Sequence, residues 1–338
     1  MSQKVNWGIL STGTIAHNFA KTMVRLGGNR QVLAVASRSL EKAQKFAQQY
    51  GISKAYGSYE EMVSDPEIDI IYVATPHTEH AKNMKLCIEH GKNILCEKPF
   101  TVNEKEAKEV YALAQEKKVF VMEAFWTKFI PIYREVERIL VSGEIGEIQC
   151  VTAQYGYCVS EEKAVRKFNP QLAGGALLDI GVYTLGFVAM FLGYHPETIF
   201  SVLTKNQVGT DKMASILLKY PDGKTAQLTA AIQTYLPLWG EIFGTAGRIE
   251  VPDFKNPETI KVFVNGKDPY EVHHKFDVNG FEYEIYEAEN CVKNKKKFSE
   301  VMRPEHTMAV MRMMDQIRLQ NAMIFPTETP DSIEKLDF

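Results

Sequence analysis

Two hydrophobic periods alternate along the first third of the chain. Apolar runs at Val5 to Leu10, Gln31 to Ser37 (apolar from Val32 to Ala36), Ile70 to Ala74 and Ile94 to Cys96 predict strands buried on both faces. Between them, Ile15 to Leu26, Leu40 to Tyr50, Thr78 to His90 and Asn103 to Lys117 carry helical spacing, and Gly51 and Gly91 stand where two of these helices should stop. Ser58-Tyr59-Glu60-Glu61 predicts a capping box after a short strand at Ala55-Tyr56. Asn103 and Glu106 are spaced as a cap and the third residue of a helix. Val119 to Met122 adds one more strand. Strands and helices alternating at these lengths predict right-handed βαβ units and a parallel sheet covered on both faces.

The pattern changes after Trp126. A helix is expected over Ile130 to Ser142, ended by Gly143, and Glu147 to Tyr157 alternates like a half-exposed strand. Further strands are expected at Thr198 to Thr204, Ala214 to Tyr220, Thr225 to Gln233, Gly240 to Gly244, Arg248 to Val251, Thr259 to Val264 and Tyr270 to His274. Tyr220-Pro221-Asp222-Gly223-Lys224 is a hairpin turn signal. Helices are expected at Leu178 to Leu192, Glu282 to Asn294 and Pro304 to Asn321. The predicted class is α/β: a doubly wound parallel sheet over residues 1–125, then an α+β domain over 126–338 with a large open, mostly antiparallel sheet. The C-terminal helix is expected to pack back on the first domain.

Composition narrows the function classes. The 338 residues are 24% charged and 45% hydrophobic, the profile of a globular protein. A formal net charge of −3 supplies no electrostatic footprint for nucleic acid. The five cysteines are scattered and form no Cys-x-x-Cys pair, which argues for a reducing compartment and against a structural metal. Met1 to Lys4 lead straight into the first strand, and no apolar run long enough to span a membrane stands out. A cytoplasmic location with no membrane partner is the resulting expectation.

The chemistry-bearing positions fall at strand ends. After the first strand comes Ser11-Thr12-Gly13-Thr14-Ile15-Ala16, a Ser-x-Gly-x-x-Ala variant of a dinucleotide turn. Gly13 keeps the position where backbone approaches a pyrophosphate, and the free N–H groups and dipole of the helix at Ile15 favour an anion. The second strand ends Ala36-Ser37-Arg38-Ser39 with no acid for a ribose hydroxyl, and Lys42 follows. Arg38 and Lys42 therefore predict NADP, with NAD as the alternative. Thr75, Pro76, His77 and His80 end another strand and are expected to line the nucleotide cleft. The two histidines have no third partner near in sequence to make a metal site.

Lys98 is held by Pro99 at the end of the Ile94 to Cys96 strand, at the sheet edge where ligands bind in open α/β folds. Asp179 and Tyr183 are four residues apart among Leu177, Leu178, Ile180 and Val182, which puts an acid and a phenol on one helix face. The acid needs a partner, for which a lysine of the first domain is a candidate. Spacing alone favours the plainer alternative, an N-terminal helix acid and a core tyrosine. Trp126, Tyr155, Tyr157 and Phe281 are candidate walls of a substrate pocket, and for Trp126 interdomain core is the other reading.

Taken together, Gly8 to Ala16, Ala74-Thr75-Pro76-His77-Thr78-Glu79-His80, Glu97-Lys98-Pro99 and Gly174-Gly175-Ala176-Leu177-Leu178-Asp179-Ile180-Gly181-Val182-Tyr183 resemble the glucose–fructose oxidoreductase, inositol dehydrogenase and rhizopine catabolism (Gfo/Idh/MocA) family. Ala55 to Glu61 and Met122 to Phe129 are most similar to its dimeric dihydrodiol dehydrogenase and NADP-dependent D-xylose dehydrogenase branch. The resemblance implies a Rossmann domain and hydride transfer between a nicotinamide and the alcohol or hemiacetal carbon of a sugar, polyol or trans-dihydrodiol. It implies Lys98, Asp179 and Tyr183 as the catalytic group, Glu97 near the cofactor ribose, and a homodimer formed through the open C-terminal sheet. The alternatives are a nucleotide-sensing regulator on the same fold, or an enzyme whose tightly held cofactor cycles internally.

Overall fold

The computed structural model describes residues 4–28, 30–329 and 332–333, so the first three residues of the N-terminal reading lie outside it. It divides into two compact units. The first comprises residues 1–101, 106–126 and 277–307, and the second 102–105, 127–276 and 308–338.

The first unit is built from β1 (Val5–Leu10), α1 (Thr14–Leu26), β2 (Arg30–Ala36), α2 (Leu40–Tyr50), β3 (Lys54–Tyr56), α3 (Tyr59–Val63), β4 (Ile70–Val73), α4 (His77–Glu89), β5 (Asn93–Glu97), α5 (Glu104–Lys117) and β6 (Val121–Ala124). The six strands run in the order β3-β2-β1-β4-β5-β6, all parallel. This is the Rossmann order, and it follows from the near-continuous apolar strands. β4, for example, is buried at every position, so helices must cover both faces. Phe19 of α1 stacks on Tyr72 of β4 with centroids 3.9 Å apart, and Trp7 packs beside Phe19 at 5.2 Å. The Ser58 hydroxyl accepts from the Glu61 N–H at 3.2 Å, as the capping box predicts.

At the start of α5 the Glu104 N–H donates to Asp315 Oδ2 at 2.8 Å, and Asn103 Nδ2 donates to Glu328 at 2.9 Å, so long-range carboxylates meet that helix end. The two compact units do not part at a single point near 125/126. The helix Glu282–Lys293, numbered α9 below, belongs to the first unit, where its Glu289 accepts from the Trp7 indole at 3.3 Å and pairs with Arg30 at 3.2 Å. From Met308 onward the C-terminal helix belongs to the second unit.

The second unit contains α6 (Ile132–Val141), β7 (Ile148–Cys158), α7 (Glu161–Lys167), α8 (Val182–Leu192), β8 (Thr198–Lys205), β9 (Asp211–Lys219), β10 (Thr225–Ala231), β11 (Gln233–Gly244), β12 (Gly247–Pro252), β13 (Thr259–Val264) and β14 (Tyr270–His273). After them come α9 (Glu282–Lys293) and α10 (Pro304–Gln320). The eight strands form one sheet in the order β14-β13-β12-β11-β7-β10-β9-β8. Only the β10–β7 pair is parallel. One face is covered by α8, which packs on β7 and β10. The other face leaves Phe200, Val202 and Leu217 exposed at 59%, 66% and 41%.

The helical run Pro170–Leu192 has 23 residues and contains an 18-residue window of mean hydropathy 1.8, so among the described residues one segment is long and apolar enough to cross a membrane, contrary to expectation. In the structure 78% of its apolar window is buried, as in the core helix of a globular unit.

Candidate active site

In the first unit the site residues gather at the carboxyl ends of the strands. Ser11 adopts φ 111°, in the region that favours glycine, and its hydroxyl accepts from the Gly13 N–H at 3.2 Å. Gly13 is the N-cap of α1, which has neither a side-chain cap nor an acid in its first turn. With Thr12, Thr14 and Ile15 alongside, this end offers backbone donors and a favourable dipole to an anion. At the end of β2, Arg38 and Lys42 are both exposed, and the Ser39 hydroxyl caps α2 by accepting from the Lys42 N–H at 3.4 Å. The Tyr59 phenol is pushed up by burial, and the Arg38 charge draws it back.

His80 lies deeper than a cleft-lining residue would. It is fully buried, with Nε2 2.8 Å from the Thr75 carbonyl and Nδ1 3.0 Å from the Pro99 carbonyl. It ties the β4 end to the turn after β5, and burial lowers its pKa. Thr75 is similarly committed, accepting from Asn83 at 3.1 Å, and Pro76 and His77 open α4 at the half-exposed rim. The His77 and His80 ring centroids are 6.0 Å apart, and among the described residues no three His, Cys, Asp or Glu side chains are placed to hold a metal.

Lys98 is half-buried at the end of β5, and its bond to Pro99 is cis. Behind it lies a group of buried acids. The Glu97 carboxylate accepts from the Tyr72 phenol and, at 3.2 Å, from the Lys98 N–H, which fixes its orientation at the end of β5. Glu123 on β6 is 2% exposed and Glu284 on α9 fully buried, neither oxygen of Glu284 having a hydrogen-bond partner. Burial pushes Glu97 and Glu284 up, Glu284 well above the usual range, and Glu123 up to about 7. The Lys98 ammonium draws Glu97 and Glu123 back down. Trp126 and Phe281 pack at 4.5 Å. Phe281 thus joins the first unit rather than the second, fixed by a loop whose N–H groups at Val278 and Gly280 each donate to Glu282 at 2.7 Å.

In the second unit the Gly-Gly motif has a steric reason. A Cβ on Gly174 would sit 2.4 Å from the Lys167 carbonyl, and one on Gly175, at φ 134°, 1.9 Å from Asp211 Oδ1. The chain can then enter a π-helical turn, Leu177–Gly181, which carries Asp179 and leads into α8 with Tyr183. Such turns occur often at functional sites. The π turn replaces the regular helix face predicted for Asp179 and Tyr183. Asp179 Oδ2 accepts from Tyr157 at 2.7 Å and from Lys167 Nζ at 2.5 Å. Within its own unit the acid is ion-paired to Lys167.

Tyr183 is 7% exposed, its ring 6.3 Å from Tyr155, and Tyr155 lies 6.0 Å from Tyr157. Lys255 sits 5.7 Å from the Tyr155 ring. Burial and the Asp179 charge push Tyr155 up to about 12 and Tyr157 higher still. Lys167 and its helix α7 escaped the sequence reading because the polar stretch Glu161–Lys167 carries no apolar period. Tyr157 was recognised only as a wall. Its link to Asp179 joins residues with no local signal between them.

Comparison with known proteins agrees with the folds of the two units. Residues 5–125 match the family described as "Oxidoreductase family, NAD-binding Rossmann fold", and residues 133–250 match the Gfo/Idh/MocA C-terminal domain. The chain belongs to the Gfo/Idh/MocA family. It is therefore an NAD(P)-binding oxidoreductase. It is 38% identical over 335 residues to trans-1,2-dihydrobenzene-1,2-diol dehydrogenase of Xenopus tropicalis, covering 95% of this chain and 99% of that protein. With the human protein of the same name it shares 33% over 336 residues, covering 96% and 99%. Among solved structures, a 3-ketoreductase from Actinomadura kijaniata in complex with NADP and TDP-benzene superposes with a TM-score of 0.86 at 24% identity, covering 94% of this chain and 98% of the other.

Proposed function

We propose that the protein is an NADP-dependent dehydrogenase acting on a secondary alcohol or hemiacetal carbon of a sugar, polyol or trans-dihydrodiol. The observation that carries this reading is Tyr183 next to Tyr155 in the basin beside the Asp179–Lys167–Tyr157 cluster, in a chain so close to named trans-dihydrodiol dehydrogenases. The nicotinamide, when bound, supplies the acceptor for a hydride. This chain's residues manage the proton. Deprotonated Tyr183 takes the hydroxyl proton as the C–H bond gives up its electron pair, leaving a carbonyl. By the family motif Lys98 is assigned to the catalytic group, and Asp179 orients the phenol-lined wall of its own unit. The preference for NADP is supported by Arg38 and Lys42 at the end of β2, where the strand ends without an acid. The turn at Ser11–Ile15 fits the pyrophosphate through its backbone donors.

The exposed apolar face of β8 and β9 supports a homodimer, with a second copy of this chain as its occupant. Five free cysteines support a reducing, cytoplasmic setting. The test of the function is a panel of aldoses, inositols and trans-diols with NADP and with NAD, following nicotinamide absorbance. Turnover with NADP on at least one class is expected. A clear preference for NAD would overturn the reading of Arg38, and silence across the panel would overturn the substrate class. Nicotinamide absorbance already present in the purified protein would favour the internal redox cycle.

A further inference from the structure

We propose that Lys167 is a positioning residue for proton transfer, anchoring the Asp179 carboxylate and offsetting its charge beside the tyrosines of the basin. The proposal rests on the functional reading above. Lys167 is fixed at both ends. Its carbonyl accepts from the Gly175 N–H at 2.9 Å, and the lack of a side chain on Gly174 lets that carbonyl approach. Its ammonium reaches Asp179 Oδ2, the same oxygen that Tyr157 donates to. Asp179 is only 14% exposed and Lys167 35%, so the pair is partly screened from solvent.

Among the described residues of this unit, the charged and titratable groups facing Asp179 and Tyr183 include Tyr155 and Tyr157 from β7 and Lys167 from α7, with Lys255 beside Tyr155. A carboxylate in this setting opposes ionisation of every phenol near it, as it does for Tyr155 and Tyr157. Tyr155 is in turn the neighbour of Tyr183. The Lys167 ammonium cancels much of that field at Tyr183. It also holds Asp179 on the Tyr157 side, so that the carboxylate remains a fixed acceptor rather than a proton carrier.

The test compares Lys167→Met, Lys167→Arg, Asp179→Asn and the Lys167→Met/Asp179→Asn double variant. The substrate-free readout is the titration of Tyr183 by NMR of 13C-tyrosine-labelled protein, assigned through Tyr183→Phe. Its midpoint is expected to rise by about one unit in Lys167→Met and to return in Lys167→Arg and in the double variant. With an alcohol found active in the panel, kcat should fall about 10- to 100-fold in Lys167→Met with KM changed less than about threefold. Lys167→Arg should recover most of that loss, and adding Lys167→Met to Asp179→Asn should cost less than about twofold. An unmoved Tyr183 midpoint, additive losses, or a change in KM alone would overturn the proposal, the last by making Lys167 a substrate contact. Failure of the functional reading looks different: Tyr183→Phe would keep full activity, while the titration would still report on Lys167.

Discussion

Glu123 offers a quantitative check on the buried acids behind Lys98. It sits on β6 beside Cys96 of β5, 2% exposed, and burial raises its carboxyl from the ordinary 4.5 to about 7. Below pH 4.5 both folded and unfolded chains carry the proton, and Glu123 adds no pH dependence. Between 4.5 and about 7 the folded protein keeps a proton that the unfolded chain has lost, so stability falls as pH rises through this window and levels off above it. At 1.36 kcal/mol per unit, the shift corresponds to a loss of about 3 kcal/mol. Glu123→Gln keeps the size and removes the titration.

The assay is urea unfolding followed by tryptophan fluorescence. Trp7 and Trp126, two of the three tryptophans, belong to the same unit as Glu123. Between pH 5 and pH 8 the wild type should lose about 3 kcal/mol more stability than Glu123→Gln, because the other buried acids cancel in the comparison. Equal slopes would show that Glu123 is not held protonated, and would refute the picture of acids kept neutral behind the lysine.

Two further outcomes follow from packing. Gly175→Ala places a Cβ 1.9 Å from Asp211 Oδ1 at a backbone angle few side chains adopt, so it should destabilise the second unit by roughly 2–4 kcal/mol, measured as a shift in its melting transition. A wild-type melting profile would contradict the close approach. Phe200→Asp combined with Val202→Asp, on the exposed sheet face, should halve the mass seen by light scattering while leaving the fold intact by circular dichroism. An unchanged mass would remove this face as the dimer contact.

Much of the architecture was legible because the signals are local. Apolar runs such as Ile70 to Ala74 announce buried parallel strands, and Gly13 and Pro99 mark strand ends where chemistry gathers. The hidden parts depend on contacts distant in sequence. Glu104 draws its N-terminal partner from Asp315, and α9 returns to the first unit through Trp7 and Arg30. Asp179 takes its lysine from the short helix α7, and the π turn beneath it follows from the closeness of Gly175 to Asp211, which no spacing rule anticipates. The partners of Glu97 and His80 are likewise hidden in the sequence: Tyr72 for the carboxylate, and the carbonyls of Thr75 and Pro99 for the imidazole.

The central claim is that Tyr183 handles the proton. Its most direct test is single-turnover hydride transfer in Tyr183→Phe, with saturating NADP and the alcohol that performs best in the panel, followed by nicotinamide absorbance. A rate at least about a hundredfold below wild type, with NADP affinity within about threefold, is the predicted result. Hydride transfer at the wild-type rate would contradict it.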